Sequence, residues 1–161
     1  MKAKKGFTLV EILIVVVILG ILAAIVIPQF TDASTEAKEA NLKSTLQTVR
    51  GQVEFYKIQH NDSFPDANTL ASFTACLTGY TDQDGTTVAF DALGALGPYL
   101  QSMPKNPWIT GATADDVDFV TANPAAGDDT TGWYFNTDTG RFGANDSRNC
   151  DDADLTEHAA L

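Results

Sequence analysis

Positive charge is scarce in this chain, and so are histidine and cysteine. Ten Lys and Arg stand against 21 Asp and Glu, a net charge of −11, with two His and two Cys in 161 residues. So few cations argue against nucleic acid as the main partner, because phosphate neutralisation needs them. His60 sits at a predicted helix end and His158 near the carboxyl terminus. With no His/Cys spacing for zinc, no Gly-x-Ser-x-Gly and no phosphate-cradling loop, the chain is read as a non-enzyme. Cys76 and Cys150 are too far apart for a Cys-x-x-Cys redox motif.

Apolar residues, by contrast, are concentrated at the amino end. From Phe7 to Ile27 there are 21 residues dominated by Val, Ile and Leu, about the length that spans a bilayer core as a helix. The run follows Lys2, Lys4 and Lys5 directly, exceeds an ordinary secretory h-region, and is interrupted near its start by one carboxylate, Glu11. A charge in lipid costs about 2.5–3.5 kcal/mol at a helix centre, so Glu11 is expected to have a function. It falls in the first helical turn, where the dipole favours an anion. Lysines before the run and an acidic bulk after it put the amino end in the cytoplasm and the rest across the inner membrane.

Gly6-Phe7-Thr8-Leu9-Val10-Glu11 resembles the processing motif of the type IV pilin superfamily, which includes type IV pilins and the pseudopilins of type II secretion. The resemblance is close over roughly residues 1–35. It implies cleavage by a membrane peptidase between Gly6 and Phe7, N-methylation of Phe7, and pairing of Glu11 with the Phe7 amino group of a neighbouring subunit. Gly20 and Pro28 match a glycine and a proline of such subunits, implying a segment that loosens on packing; Pro28 also predicts a kink or soft spot on its own chemistry. Losing the leader with its three lysines takes the charge from −11 to −14.

Beyond the membrane run, Leu42, Leu46, Val49, Val53 and Tyr56 recur at intervals of four and three, predicting an amphipathic helix to about Gln59 with one apolar stripe. Thr8 to Gln59 would make a stem of about 78 Å at 1.5 Å per residue. Turn formers at 61–66 end it. A short helix is expected within Ala67 to Tyr80 and a turn at Thr81–Gly85. Gly97-Pro98-Tyr99-Leu100 and Met103-Pro104-Lys105-Asn106-Pro107-Trp108 predict an ordered loop pinned by Tyr99 and Trp108, and resemble the proline-rich crossing of major pseudopilins. Val117–Val120 is a strand candidate. Gly132–Asn136, the turn Thr137–Gly140 and Arg141–Ala144 read as a β-hairpin, leaving Asn145 to Leu161 as a polar, acidic tail.

These readings give an α+β fold: leader 1–6, transmembrane and filament-core helix 7–28, amphipathic helix 29–60, and a periplasmic region 61–161 whose small antiparallel sheet packs on the helix. In that oxidising compartment Cys76 and Cys150 are the candidate disulfide, worth roughly 4 kcal/mol for a loop of about 75 residues; two separately buried thiols are the alternative. The one metal considered is calcium, which the resemblance to major pseudopilins implies. Asp138, Asp146, Asp151, Asp152 and Asp154 offer hard oxygen ligands, but match no EF-hand. The Gly-Ala-Asp-Gly type loop is absent, echoed only by Gly143-Ala144-Asn145-Asp146. By resemblance, the chain is a filament subunit of a G-type major pseudopilin kind acting in protein export, or alternatively a type IV pilin of a surface fibre for adhesion, motility or DNA uptake. Its partners would be copies of itself, the prepilin peptidase and methylase, the inner-membrane assembly platform and minor subunits.

Overall fold

The computed structural model describes residues 6–122, 124 and 127–147. One helix, α1, runs from Leu9 to Gln59. It passes through Gly20 and Pro28 without ending, so the interruption expected there is not a helix end. The described chain divides into two compact units, one ending at Glu39 and the other beginning at Ala40.

The second unit is built on the amphipathic part of α1. Leu42, Leu46, Val49, Val53 and Tyr56 are each no more than 1% exposed, the five positions of the predicted stripe. Helix α2 (Leu70–Thr78) forms where the short helix was expected. Its amino end carries a reciprocal cap: the Thr69 hydroxyl accepts from the Ser72 amide at 3.0 Å, and the Ser72 hydroxyl accepts from the Thr69 amide at 3.1 Å. Phe73, Cys76 and Leu77 turn inward from α2.

Two small sheets complete the unit. Strands β1 (Tyr80–Thr81) and β2 (Thr87–Val88) form an antiparallel hairpin around the expected turn, with Gly85 at φ +83°. The other sheet has the order β3 (Val117–Val120), β4 (Trp133–Asn136), β5 (Phe142–Ala144). β4 and β5 are the predicted hairpin, with Phe135 opposite Phe142 and Trp133 opposite Ala144. β3, however, runs parallel to β4, with Val117 beside Trp133 and Val120 beside Asn136. The sheet is therefore mixed rather than antiparallel: the connection over 121–132 is long enough to return the chain to the starting edge.

Aromatic packing closes this core. Trp133, Tyr134, Phe135, Phe142 and Phe73 are fully buried, with Phe73 and Phe135 centroids 4.8 Å apart and Trp133 and Phe142 5.3 Å apart. At the hairpin turn Gly140 has φ +71°, and a Cβ there would lie 2.0 Å from the Phe64 ring; only glycine satisfies both the backbone and the packing. Where α1 ends, His60 is 1% exposed and stacked on Tyr56 at 3.6 Å. Its Nδ1 lies 2.8 Å from the Tyr56 carbonyl oxygen and its Nε2 2.9 Å from the Thr81 hydroxyl, tying the helix end to β1. Burial raises the Tyr56 phenol well above its ordinary range, reinforced by its contact with Cys76.

Candidate functional site

The motif at the start of α1 has a local geometry that its composition only partly announces. Thr8 is the residue before the helix and Glu11 the third within it, and the two bond reciprocally. The Thr8 amide and hydroxyl each donate to Glu11 Oε2 at 2.8 Å, while the Glu11 amide donates to the Thr8 hydroxyl at 3.3 Å. This is a capping box, which satisfies helix-end amides that would otherwise have no partner. It also fixes the Glu11 carboxylate beside the backbone of Thr8, one residue from Phe7.

Phe7 is 80% exposed, and a Cβ added at Gly6 would meet nothing within 4 Å. The Gly6–Phe7 peptide is thus uncovered by the rest of the described chain. From Leu9 onward the apolar residues point outward on every side of the helix: Leu13, Val15, Ile18, Leu22 and Ile25 are all at least half exposed. Among the described residues α1 is the one helix long and apolar enough to cross a membrane, with mean hydropathy 3.3 over its most apolar window and none of that window buried. A helix that is apolar all round needs lipid or other protein around it.

The chain matches the prokaryotic N-terminal methylation motif family over residues 1–27. Its relatives include a type II secretion system core protein G of Pseudomonas aeruginosa, 31% identical over 66% of this chain and 70% of that protein. Another is a type IV narrow pilus major component of Thermus thermophilus, 37% identical over 55% of this chain and 79% of that one. A fimbrial protein of Pseudomonas aeruginosa is 46% identical over 72% of this chain and 83% of its own length. The chain belongs to the type IV pilin superfamily. No solved structure matches it.

In this pilin-like chain the proline-rich crossing is ordered, as expected. Tyr99 is buried against Tyr56 and donates its hydroxyl to Gln59 Oε1 at 2.6 Å. Trp108 is partly buried against the core. Other sequence candidates fall only partly within the described residues. Cys76 is buried in α2, with its sulfur 3.8 Å from the Gly85 carbonyl oxygen, whereas Cys150 lies outside the described residues. Of the calcium candidates, Asp138 is exposed in the turn before β5 and Asp146 is buried after β5, so the strand separates them. Asp151, Asp152 and Asp154 lie outside the described residues. Among the described residues no group of three or more His, Cys, Asp and Glu is placed to hold a metal.

What sequence reading missed in the pilin-like domain is a buried polar clasp. Asn106, 1% exposed, donates Nδ2 to the Gly132 carbonyl at 2.8 Å and to Asp146 Oδ2 at 3.0 Å, and accepts from the Trp108 amide at 2.9 Å. One amide side chain thereby joins the proline-rich crossing, the start of β4 and the chain after β5. Beside it, Asn145 Nδ2 donates to Asp128 Oδ1 at 2.8 Å and to the Thr131 hydroxyl at 2.9 Å. The Thr130 hydroxyl and amide, with Asn145 adding to them, hold the Asp128 carboxyl below its ordinary range. The available signal was the asparagine between two prolines: a polar residue in a loop that cannot form a ladder must find its partners across the fold.

Proposed function

We propose that this chain is the structural subunit of a helical filament. The observation that carries the proposal is the start of α1: a capped Glu11 set in a helix whose apolar surface is exposed all round. Before assembly the helix lies in the inner membrane, with the acidic unit on the periplasmic side. A prepilin peptidase cuts between Gly6 and Phe7 and the new amino terminus is methylated. The stems then pack against one another through the platform that assembles them, and Glu11 exchanges part of its contact with Thr8 for the charged amino group of a neighbour's Phe7. An opposite charge at that point offsets the cost of keeping a carboxylate out of water.

Within that class the subunit serves protein export as a major pseudopilin. The similarity to core protein G and the ordered crossing around Tyr99 and Trp108 support this assignment. The second reading is a surface pilus, supported by the 46% identity to a fimbrial protein. Electron microscopy of sheared surface material, with intact-mass analysis of the subunit, separates the two. A methylated subunit starting at Phe7 that stays with the envelope is the expected result. Abundant long fibres of the same subunit would move the assignment to the surface pilus, and an unprocessed chain would overturn both. The same spectrum before and after reduction tests the Cys76–Cys150 bridge, whose presence is expected as a loss of two hydrogens.

Gly6 offers a clean control. Because a side chain there meets nothing in the described chain, failure of Gly6→Val to mature would belong to recognition by the peptidase and not to misfolding.

A further inference from the structure

At the end of α1 farthest from the membrane run, an open slot of about 550 Å³ has an unusual combination of walls. Ile58, Leu93 and Leu96 provide apolar surface, and Asp82 and Asp84 stand at its edge on the turn between β1 and β2. Ile58 is 75% exposed and Leu93 fully so. The turn is held in place: Asp82 Oδ1 accepts from the amides of Asp84 at 3.1 Å and Thr86 at 2.9 Å. Among the described residues Asp82 Oδ2 and the Asp84 carboxylate have no hydrogen-bond or ion-pair partner. An aliphatic wall next to two carboxylates suits a side chain with an apolar stem and a cationic head, as lysine has.

Among the described residues one such group is in the right state. Lys57 lies over the Phe64 ring at 4.8 Å, Arg50 donates to the Phe142 carbonyl oxygen at 2.7 Å, and Lys38, Lys43 and Arg141 are each engaged within the chain. Among the described residues that leaves Lys105, exposed between Pro104 and Pro107 on a loop fixed by buried Asn106. Among the described residues no carboxylate is paired with it. Pro104 lines a hollow together with Ser44, Thr45 and Thr48 of α1, whereas the slot adjoins Ile58 and Gln59, roughly 15–20 Å further along the helix at 1.5 Å per residue. A cation at one level and its complement at another, on one rigid unit, is the arrangement of a head-to-tail contact, which propagates into an open helical array.

We infer that the Ile58–Leu93–Leu96 slot with Asp82 and Asp84 is the socket for Lys105 of a second copy of this chain, a contact between acidic units along the filament. This rests on the filament reading and adds the residues that set the register between neighbours outside the stem.

The test is charge exchange in the full chain, scored by filament yield. Lys105→Glu and the pair Asp82→Lys with Asp84→Lys each lower yield by about tenfold or more, and combining all three restores it to near wild type, because complementarity is re-formed with the signs reversed. A second measurement does not depend on those variants folding. Lys105→Cys with Leu93→Cys in assembled filaments, treated with a short bifunctional thiol reagent, yields a ladder of covalent multimers that neither single substitution gives. Normal yield from Lys105→Glu, no rescue in the combined variant, or no ladder would overturn the socket while leaving the filament reading standing, provided Glu11→Ala still blocks assembly. A wild-type chain that forms no filament would overturn both.

Discussion

One helix belongs to two regions of this molecule, and its apolar residues meet opposite fates in them. Between Leu9 and Phe30 they are 40–81% exposed; from Leu42 to Tyr56 the stripe is at most 1% exposed. The difference lies in sequence pattern and not in helix geometry. In the first region Val, Ile and Leu fill every face, so no single sheet could cover them. In the second they return every three or four residues, and the sheet, α2, His60 and the proline-rich crossing around Tyr99 form one core with them. A stripe encodes a partner inside the chain, and an all-round apolar surface encodes partners outside it.

The contrast can be broken most sharply at Glu11. Glu11→Ala should leave membrane insertion and the thermal midpoint of the acidic unit unchanged while abolishing assembly, read as filament yield from cells expressing the variant; retained assembly would remove this residue from the mechanism. Next in size is a pair of matched truncations. Leu46→Ala, in the buried stripe, should cost about 2–5 kcal/mol of stability, whereas Leu13→Ala, in the exposed run, should not move the unfolding of the acidic unit in detergent, followed by circular dichroism. Equal effects would mean that the two regions fold as one. A smaller loss is expected from Asn106→Ala, which leaves the Gly132 carbonyl and Asp146 short of a buried donor: about 1–3 kcal/mol, read from the urea midpoint.

The smallest effect concerns pH. Asp128 is held below its ordinary pKa in the folded state, so the stability it contributes is present above the unfolded value, about 3.9, and is lost as pH falls through the lower folded one. Asp128→Asn should flatten that part of the stability profile slightly, since the group is largely exposed and solvent screens it. An unchanged slope would assign the acid sensitivity to other carboxylates.

How far the sequence could be read follows the range of each interaction. The stripe, the β4–β5 hairpin, the Thr81–Gly85 turn and the Gly6–Glu11 motif are written within a few neighbouring residues, through helical period, alternation or turn chemistry. The parallel pairing of β3 with β4 is not local: nothing in Val117–Val120 states its direction, which depends on how the 121–132 connection returns. The Asn106 clasp likewise joins residues 26 and 40 positions apart. His60 was legible as a helix end but not as a buried side chain, because its partner Thr81 lies 21 positions on. At the motif itself, Thr8 and Glu11 have the spacing of a capping box, and the bonds between them make the carboxylate a helix cap as well as a charge.

Both tryptophans belong to the acidic unit and none to the stem. Trp133 is fully enclosed and donates Nε1 to the Pro104 carbonyl oxygen at 2.8 Å, while Trp108 is only partly covered on the same crossing. Tryptophan fluorescence of this protein therefore carries no probe within the apolar run of the stem. It gives a label-free optical signal from the acidic unit alone, in which the shielded indole emits toward the blue and the half-covered one responds to added quencher. Because Lys105 sits between Pro104 and Trp108, that second signal is positioned to register whatever docks against the loop.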